Sequence, residues 1–378
     1  MWAQGSAGCR RPLFFQKRFG KDKRVLILDN HDDVGGHAKR NEFTVNGNTR
    51  MASAGTFNLY TPGTDAEKDV FDTLGIRVDE LVEKTVDTGF YARHGMGQSV
   101  FFDKETFGQD RLLKDPAPWT DFTFLYEPNV PTDAADRWQD FLEKAPLPQP
   151  VRQQVYDLYH VRKDHWPNLT AAQKSDRLNA MSYVDYLRDV VGCDPLVWLY
   201  MRDRSFGSGR ALDSITALMA YERFGFPGFD GLGLPPRGGK GHGHAYHFPD
   251  GNATIVRLLT RHLNPAALPG KTVEDSITAR MDHAALDQPG NTANIRLNST
   301  VINVRNKDDG KGVDITYMTD DRVRRVSAKS CVMACWFHVV PYLCPDMPLE
   351  QREALHYNVH TPNLWVNVWL RNWEAFKK

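Results

Sequence analysis

The sequence predicts an α/β fold with a parallel sheet and two domains, and three observations predict it. Val25-Leu26-Ile27-Leu28-Asp29 is an apolar run that ends on an acid. The polar stretch that follows, Asn30-His31-Asp32-Asp33-Val34-Gly35-Gly36-His37, carries a glycine pair. With 378 residues, 41% of them apolar and 11% aromatic, the chain is too long for one compact core and rich enough to bury a large one.

A run of aliphatic and β-branched residues reads as a buried strand of a parallel sheet. An acid at its carboxyl end stands where nucleotide-binding sheets hold a ribose through its hydroxyls. Gly35 and Gly36 have no Cβ, so the backbone there takes unusual torsions and approaches a ligand closely. Together these features indicate a dinucleotide; the same strand, acid and glycine turn also arise in an α/β domain for architectural reasons alone. Upstream, Gly5-Ser6-Ala7-Gly8 has the spacing of the second and third glycines of G-x-G-x-x-G, with Ala3 in the first place. Only two residues precede Ala3, so no strand is expected ahead of this loop. Pro12 lacks an N–H and suits a first helical turn, so the helix is expected to start late, near Pro12, and to run through residues 14–19.

Further along, Asn46-Gly47 suits a hairpin turn within residues 42–48, and Val70, Phe71 and Leu74 share one face of a helix over residues 65–74. Residues 76–240 are rich in aromatics, prolines and short helical patterns, at 134–143, 150–160 and 182–191. Tyr156, Tyr159, Tyr183, Tyr186 and Leu187 read there as core-facing stripes before members of a substrate cage. Residues 225–243 are a glycine-rich loop of the kind that covers pockets. A helix then runs through Ile255, Leu258, Leu259 and Leu263, capped by Asp250 or Asn252. Residues 295–335 alternate and turn like a β-meander.

The 47 basic and 47 acidic residues cancel, so no global field draws the chain to nucleic acid. No run of about 18 apolar residues exists to span a membrane, and no signal peptide opens the sequence, which places it in the cytoplasm as written. Five dispersed cysteines, Cys9, Cys193, Cys331, Cys335 and Cys344, give no disulfide framework. Cys331 and Cys335 lie roughly 13 Å apart along an expected strand, beyond the ~7 Å reach of a disulfide, and read as core thiols. His242, His244 and His247 have His-x-His spacing, yet no nearby Cys completes a ligand set, so no metal site is expected.

The segment Leu28-Asp29-Asn30-His31-Asp32-Asp33-Val34-Gly35-Gly36-His37-Ala38-Lys39-Arg40-Asn41-Glu42-Phe43 resembles that of spermidine dehydrogenases, flavoproteins of the amine oxidase superfamily. The likeness continues through Gly97-Gln98-Ser99-Val100-Phe101-Phe102-Asp103-Lys104-Glu105-Thr106-Phe107-Gly108, Asp185-Tyr186-Leu187-Arg188-Asp189, His247-Phe248-Pro249-Asp250-Gly251-Asn252-Ala253, Arg296-Leu297-Asn298-Ser299-Thr300-Val301 and Pro341-Tyr342-Leu343-Cys344-Pro345. The resemblance implies a partial Rossmann-like FAD-binding domain, residues 1–75 with 246–340, and a mixed α+β substrate domain, residues 76–245. Residues 341–378 would open a second substrate-domain segment.

By the same resemblance, Asp29 binds the adenosine ribose of FAD, while Gly5, Gly8, Gly35 and Gly36 belong to its phosphate-binding turns. Gly251 and Asn252 lie near the isoalloxazine, and the backbone of Val301 touches the adenine. The superfamily has arginines where this chain has Asp33 and His37, so cationic help for the pyrophosphate falls to Lys39 or Arg40, which otherwise read as a solvated basic pair. Some relatives carry haem as well, for which His31 or His94 are conceivable ligands. Glu222 with Tyr221, Asp213, Trp365 and Trp369 are candidates for a polyamine pocket, each with a structural reading beside it; the catalytic residues stay unassigned. Relatives of this kind have a first strand before the glycine loop and continue past residue 378 into a glycine-rich FAD segment, so an incomplete site is expected. Three readings follow: an FAD-dependent dehydrogenase of spermidine or a similar amine, a flavoenzyme with an apolar, desaturase-type substrate, and a non-catalytic remnant. The electron acceptor stays open.

Overall fold

A computed structural model of the chain describes residues 2–3, 6–85, 87, 89–117, 135–202, 212–235, 246–357 and 364–377. The fold is mixed α/β and divides into two compact units, Met1–Val86 with Ala245–Trp369, and Asp87–His244 with Leu370–Lys378. Residues 87–244 of the second unit are thus an insertion in the sequence of the first. Residues 341–369, expected to open a separate segment, group with the first unit.

Eleven strands are described: β1 (Trp2–Ala3), β2 (Val25–Leu28), β3 (Arg40–Val45), β4 (Asn48–Ser53), β5 (Ser99–Phe102), β6 (Arg111–Lys114), β7 (Ala293–Arg296), β8 (Thr300–Asn306), β9 (Val313–Thr319), β10 (Arg322–Ala328) and β11 (Met333–Ala334). In the first unit, β11, β1, β2 and β7 form a parallel sheet in that order. The VLIL run of β2 alternates between two cores, as a strand buried on both faces must. Ile27 packs with Leu13, Val256 and Leu259 on one side, and Leu28 with Val301, Ile315 and Tyr317 on the other.

Two expectations are corrected at the amino end. The strand thought absent before the glycine loop is present as β1, two residues long, with Trp2 level with Met333 on one side and Leu28 on the other. Pairing along both edges holds so short a strand. The connecting helix does not wait for Pro12 but spans Ser6–Phe19, with Pro12 inside it. Proline removes one amide donor from that helix, and the burial of Pro12 and Leu13 on its inner face offsets the loss.

Local signals account for the neighbouring elements. Asn46 and Gly47 both adopt positive φ, 51° and 76°, between β3 and β4, as a two-residue hairpin turn requires. The helix Asp65–Leu74 is opened by a capping box between Thr64 and Glu67 and closed by Gly75 at φ 71°. The meander β8-β9-β10 is antiparallel, with a bulge between Val301 and Asn303. The helix Ala253–Leu263 is buried along most of its length.

The second unit is mostly helical around an aromatic core. Tyr186 stacks on Phe229 at 4.7 Å, and Trp138, Phe141 and Tyr183 are fully buried beside them. The Tyr183 hydroxyl donates to the Pro227 carbonyl at 3.1 Å and that of Tyr186 to Gly228 at 2.6 Å, so these tyrosines are core members that pin the glycine-rich segment. Lys174, buried, donates to Asp164 Oδ2 at 2.7 Å and to the Leu232 carbonyl at 2.9 Å. Among the described residues, no helix is long and apolar enough to cross a membrane, and no three His, Cys, Asp or Glu side chains are grouped to hold a metal.

Candidate functional site

Asp29 follows β2 directly, and the backbone around it is laced to the next crossover. Its amide donates to the Arg296 carbonyl at 3.0 Å, its carbonyl accepts from the Ser299 amide at 2.8 Å, and the Asn298 amide donates to the His31 carbonyl at 2.8 Å. Asn298 turns at φ 50° to make that reach. The Asp29 side chain is 4% exposed. Its Oδ1 accepts from the His31 amide at 3.0 Å and lies 2.8 Å from His31 Nδ1. Burial pushes the carboxyl pKa up, against the opposing pull of the His31 hydrogen bonds and the Lys39 charge. Among the described residues, none donates to Oδ2.

The carboxyl end of β1 lies beside this acid, because Trp2 is level with Leu28. The Ser6–Phe19 helix begins there, Gly8 falls in its first turn, and that turn has no acidic residue. Gly5 lies outside the described residues. Val301, 3% exposed, stands in β8 two residues beyond Ser299. The parallel sheet thus brings Asp29 and the first turn with Gly8 to its carboxyl edge, and the Ser299–Asp29 hydrogen bond ties the start of β8, with Val301, to the same place. A cleft of about 430 Å³ opens at the same level, lined by Asp32, Asp287, Arg296, Asn298, Asp320 and Arg324.

Gly35 and Gly36 take φ of 119° and 54°. A Cβ on Gly35 would stand 2.8 Å from the Ala38 carbonyl oxygen, and the Ala38 amide donates to the Gly35 carbonyl at 2.9 Å. A tight turn therefore suffices to require the glycine. Lys39, one-third exposed, makes a 3.4 Å pair with Asp32. Arg40 is only 13% exposed, and both its terminal nitrogens are engaged: with Asp250 Oδ2 at 3.2 Å, the Ile277 carbonyl at 2.5 Å and Glu42 at 2.5 Å. It ties β3 to the turn before the Ala253–Leu263 helix.

Gly251 and Asn252 belong to a second locus of the same unit. Gly251 has φ 66°, and a Cβ there would meet the Thr56 carbonyl oxygen at 2.6 Å and Ser53 Oγ at 2.7 Å. The Asn252 amide donates to that carbonyl at 2.9 Å, and its side-chain Nδ2 donates to Thr56 Oγ1 at 2.9 Å and to the Asn58 carbonyl at 3.2 Å. Asp250, fully buried, accepts from Thr254 Oγ1 as well as from Arg40. Burial pushes the His247 pKa down. Asn58 carries no signal in the sequence; only the Leu59–Tyr246 bridge, which joins segments far apart in the chain, brings it here.

The other candidates scatter. His31 is held by Asp29, and the His94 ring lies 4.0 Å from that of Trp373 in the second unit. Tyr221 donates to the Pro235 carbonyl at 2.8 Å from the core, whereas Glu222 and Asp213 are exposed. Trp365 packs on Phe57 at 5.3 Å and Trp369 on Phe43 at 5.8 Å. His242 and His244 lie outside the described residues. Cys331, Cys335 and Cys344 pack against the Leu28 core, where burial pushes the Cys335 thiol up to about 12. Neither a protein-family model nor a curated protein sequence matches this chain.

Proposed function

We propose that the first unit is a Rossmann-like FAD-binding domain and that the chain is an FAD-dependent oxidoreductase of the amine oxidase type, oxidising a polyamine such as spermidine. The observation that carries the cofactor reading is the buried Asp29 carboxylate at the carboxyl end of β2. The order β11-β1-β2-β7, with a helix crossing from β1 to β2, is that of doubly wound dinucleotide-binding sheets, whose ligand lies outside the carboxyl ends of the strands. The donor set fits the group: an acceptor oxygen at Oδ2 for ribose hydroxyls, and a helix first turn without acids for the phosphates. Lys39, in a weak surface pair, is available to an anion at little cost, and Arg40 is not. The substrate reading rests on the sequence resemblance.

Bound FAD supplies the hydride acceptor for oxidation of a carbon next to an amine nitrogen. The chain's own part in binding is narrower. Asp29 accepts hydrogen bonds from the ribose hydroxyls, His31 keeps the carboxylate in place, and Val301 closes an apolar wall at the same edge. Purified protein should carry the visible bands of a flavin or take up FAD with quenching of its fluorescence. Asp29→Ala should weaken FAD binding by about 10- to 100-fold, the cost of a charged hydrogen bond. Failure of the wild-type chain to bind FAD, or equal binding by the variant, would overturn the cofactor reading. Dye reduction dependent on spermidine tests the substrate.

A further inference from the structure

The antiparallel bridge between Leu59 and Tyr246 exchanges both backbone hydrogen bonds, at 2.8 and 2.9 Å. In an antiparallel bridge the residues just outward on the two segments lie at the same end, so Asn58 and His247 flank it together. Asn252 is fastened to the same strand through Thr56 and the Asn58 carbonyl. Although it is the N-cap of the Ala253–Leu263 helix, its side chain makes no cap bond.

Three atoms gathered here, Asn58 Oδ1, His247 Nδ1 and Asn252 Oδ1, are shielded from solvent and meet no partner among the described residues. Buried polar atoms of native proteins are almost always paired, and several unmet ones in a single place point to a ligand. The orientation of the Asn252 amide is fixed, because its Nδ2 already donates twice; its Oδ1 therefore accepts. The Asn58 oxygen accepts as well, and the His247 nitrogen takes either role by tautomer. Phe57 supplies an apolar face next to His247, and Trp365 packs on Phe57 in turn.

We infer that Asn58, His247 and Asn252 form a binding subsite for an uncharged N–H group. A cationic nitrogen is disfavoured on three counts. The nearby Asp250 carboxylate is already committed to Arg40 and Thr254. The first turn of the Ala253–Leu263 helix has no acid, so it presents its positive end. Burial keeps His247 neutral. Two sources share the required chemistry: the imide N–H of a flavin ring and the free-base nitrogen of an amine. The choice between them rests on the function proposed above; the donor class does not.

Two pairs of probes separate the sources in the full-length protein. Riboflavin is compared with its N3-methyl derivative, and aniline with N,N-dimethylaniline, each by titration of wild type, Asn58→Ala and His247→Gln. The wild type should prefer the N–H-bearing member of one pair by about 5- to 10-fold, the worth of one hydrogen bond, and both variants should lose that preference. The pair that shows it names the source. Circular dichroism identifies a variant that fails to fold, in which case the other carries the comparison. No preference in either pair, or a preference that survives both substitutions, would overturn the inference. FAD binding without an N–H preference would leave the proposed cofactor standing, and the reverse result would remove the cofactor while keeping the subsite.

Discussion

Substituting Gly251 by alanine tests how tightly the Ala253–Leu263 helix is seated. The residue sits at φ 66°, where an L side chain costs about 1–2 kcal/mol. Its Cβ would also meet the Thr56 carbonyl oxygen at 2.6 Å, Ser53 Cβ at 2.7 Å and Ser53 Oγ at 2.7 Å. These atoms cannot swing aside freely. The Thr56 carbonyl accepts both the Asn252 amide, at 2.9 Å, and Ser53 Oγ, at 3.0 Å, so moving it disturbs two bonds. Overpacking of this kind adds about 1–3 kcal/mol, for a total of about 2–5 kcal/mol. Gly75 is the control: it lies in the same unit at φ 71° with nothing within 4 Å of its Cβ, so Gly75→Ala should cost only the torsional part, about 1–2 kcal/mol. Urea midpoints, followed by tryptophan fluorescence at matched slopes, should fall further for G251A than for G75A by roughly 0.5–1.5 M, given a slope of about 2 kcal/mol per molar. A G251A midpoint at or above that of G75A would refute the close approach.

Three further outcomes follow from other parts of the chain. Asp164→Ala strands the buried Lys174 ammonium and should destabilise by about 3 kcal/mol, whereas Lys174→Met, which removes the charge, should cost clearly less; calorimetric melting that reversed this order would refute the argument. The Cys193 and Cys335 thiols, pushed by burial up to about 11 and about 12, should stay unmodified by a disulfide reagent at pH 8 until guanidinium unfolds the protein; labelling of the native chain within minutes, mapped to either by mass, would contradict this. Because burial raises the Asp29 pKa, the native state takes up its proton at higher pH than the unfolded chain. That contribution to stability grows as pH falls through the folded pKa and is complete below the unfolded one. Asp29→Asn removes it, so the wild-type midpoint minus that of D29N should rise on acidification; a difference independent of pH would count against a buried carboxylate.

Features written in a few consecutive residues were legible in the sequence. The VLIL run of β2, the Asn46-Gly47 turn and the helix Asp65–Leu74 each rest on a local period or a fixed backbone torsion. Features that tertiary pairing makes were not. β1 and β11 have two residues each, too few for any period; β1 is held by a partner along each edge and β11 by β1 alone. The early start of the Ser6–Phe19 helix was hidden by Pro12, whose penalty is local while the burial that offsets it is not. The same division runs through the site. Asp29 could be read from its place after a strand, yet the basic pair beside it could not be apportioned, since Arg40 is claimed by Asp250 and Ile277, more than two hundred positions away. Asn58 gave no signal at all, because only the bridge to Tyr246 brings it to the same end as His247.

The partners of β2 also set a timetable for biosynthesis. One of them, β7, is made roughly 270 residues after it, so at ordinary translation speeds that edge waits tens of seconds for its neighbour. The intervening insertion can condense on its own aromatic nucleus in the meantime. A ribosome stalled between the two strands would therefore leave a hydrophobic ribbon open to other nascent chains, and this protein should depend on chaperones early in its synthesis more than late.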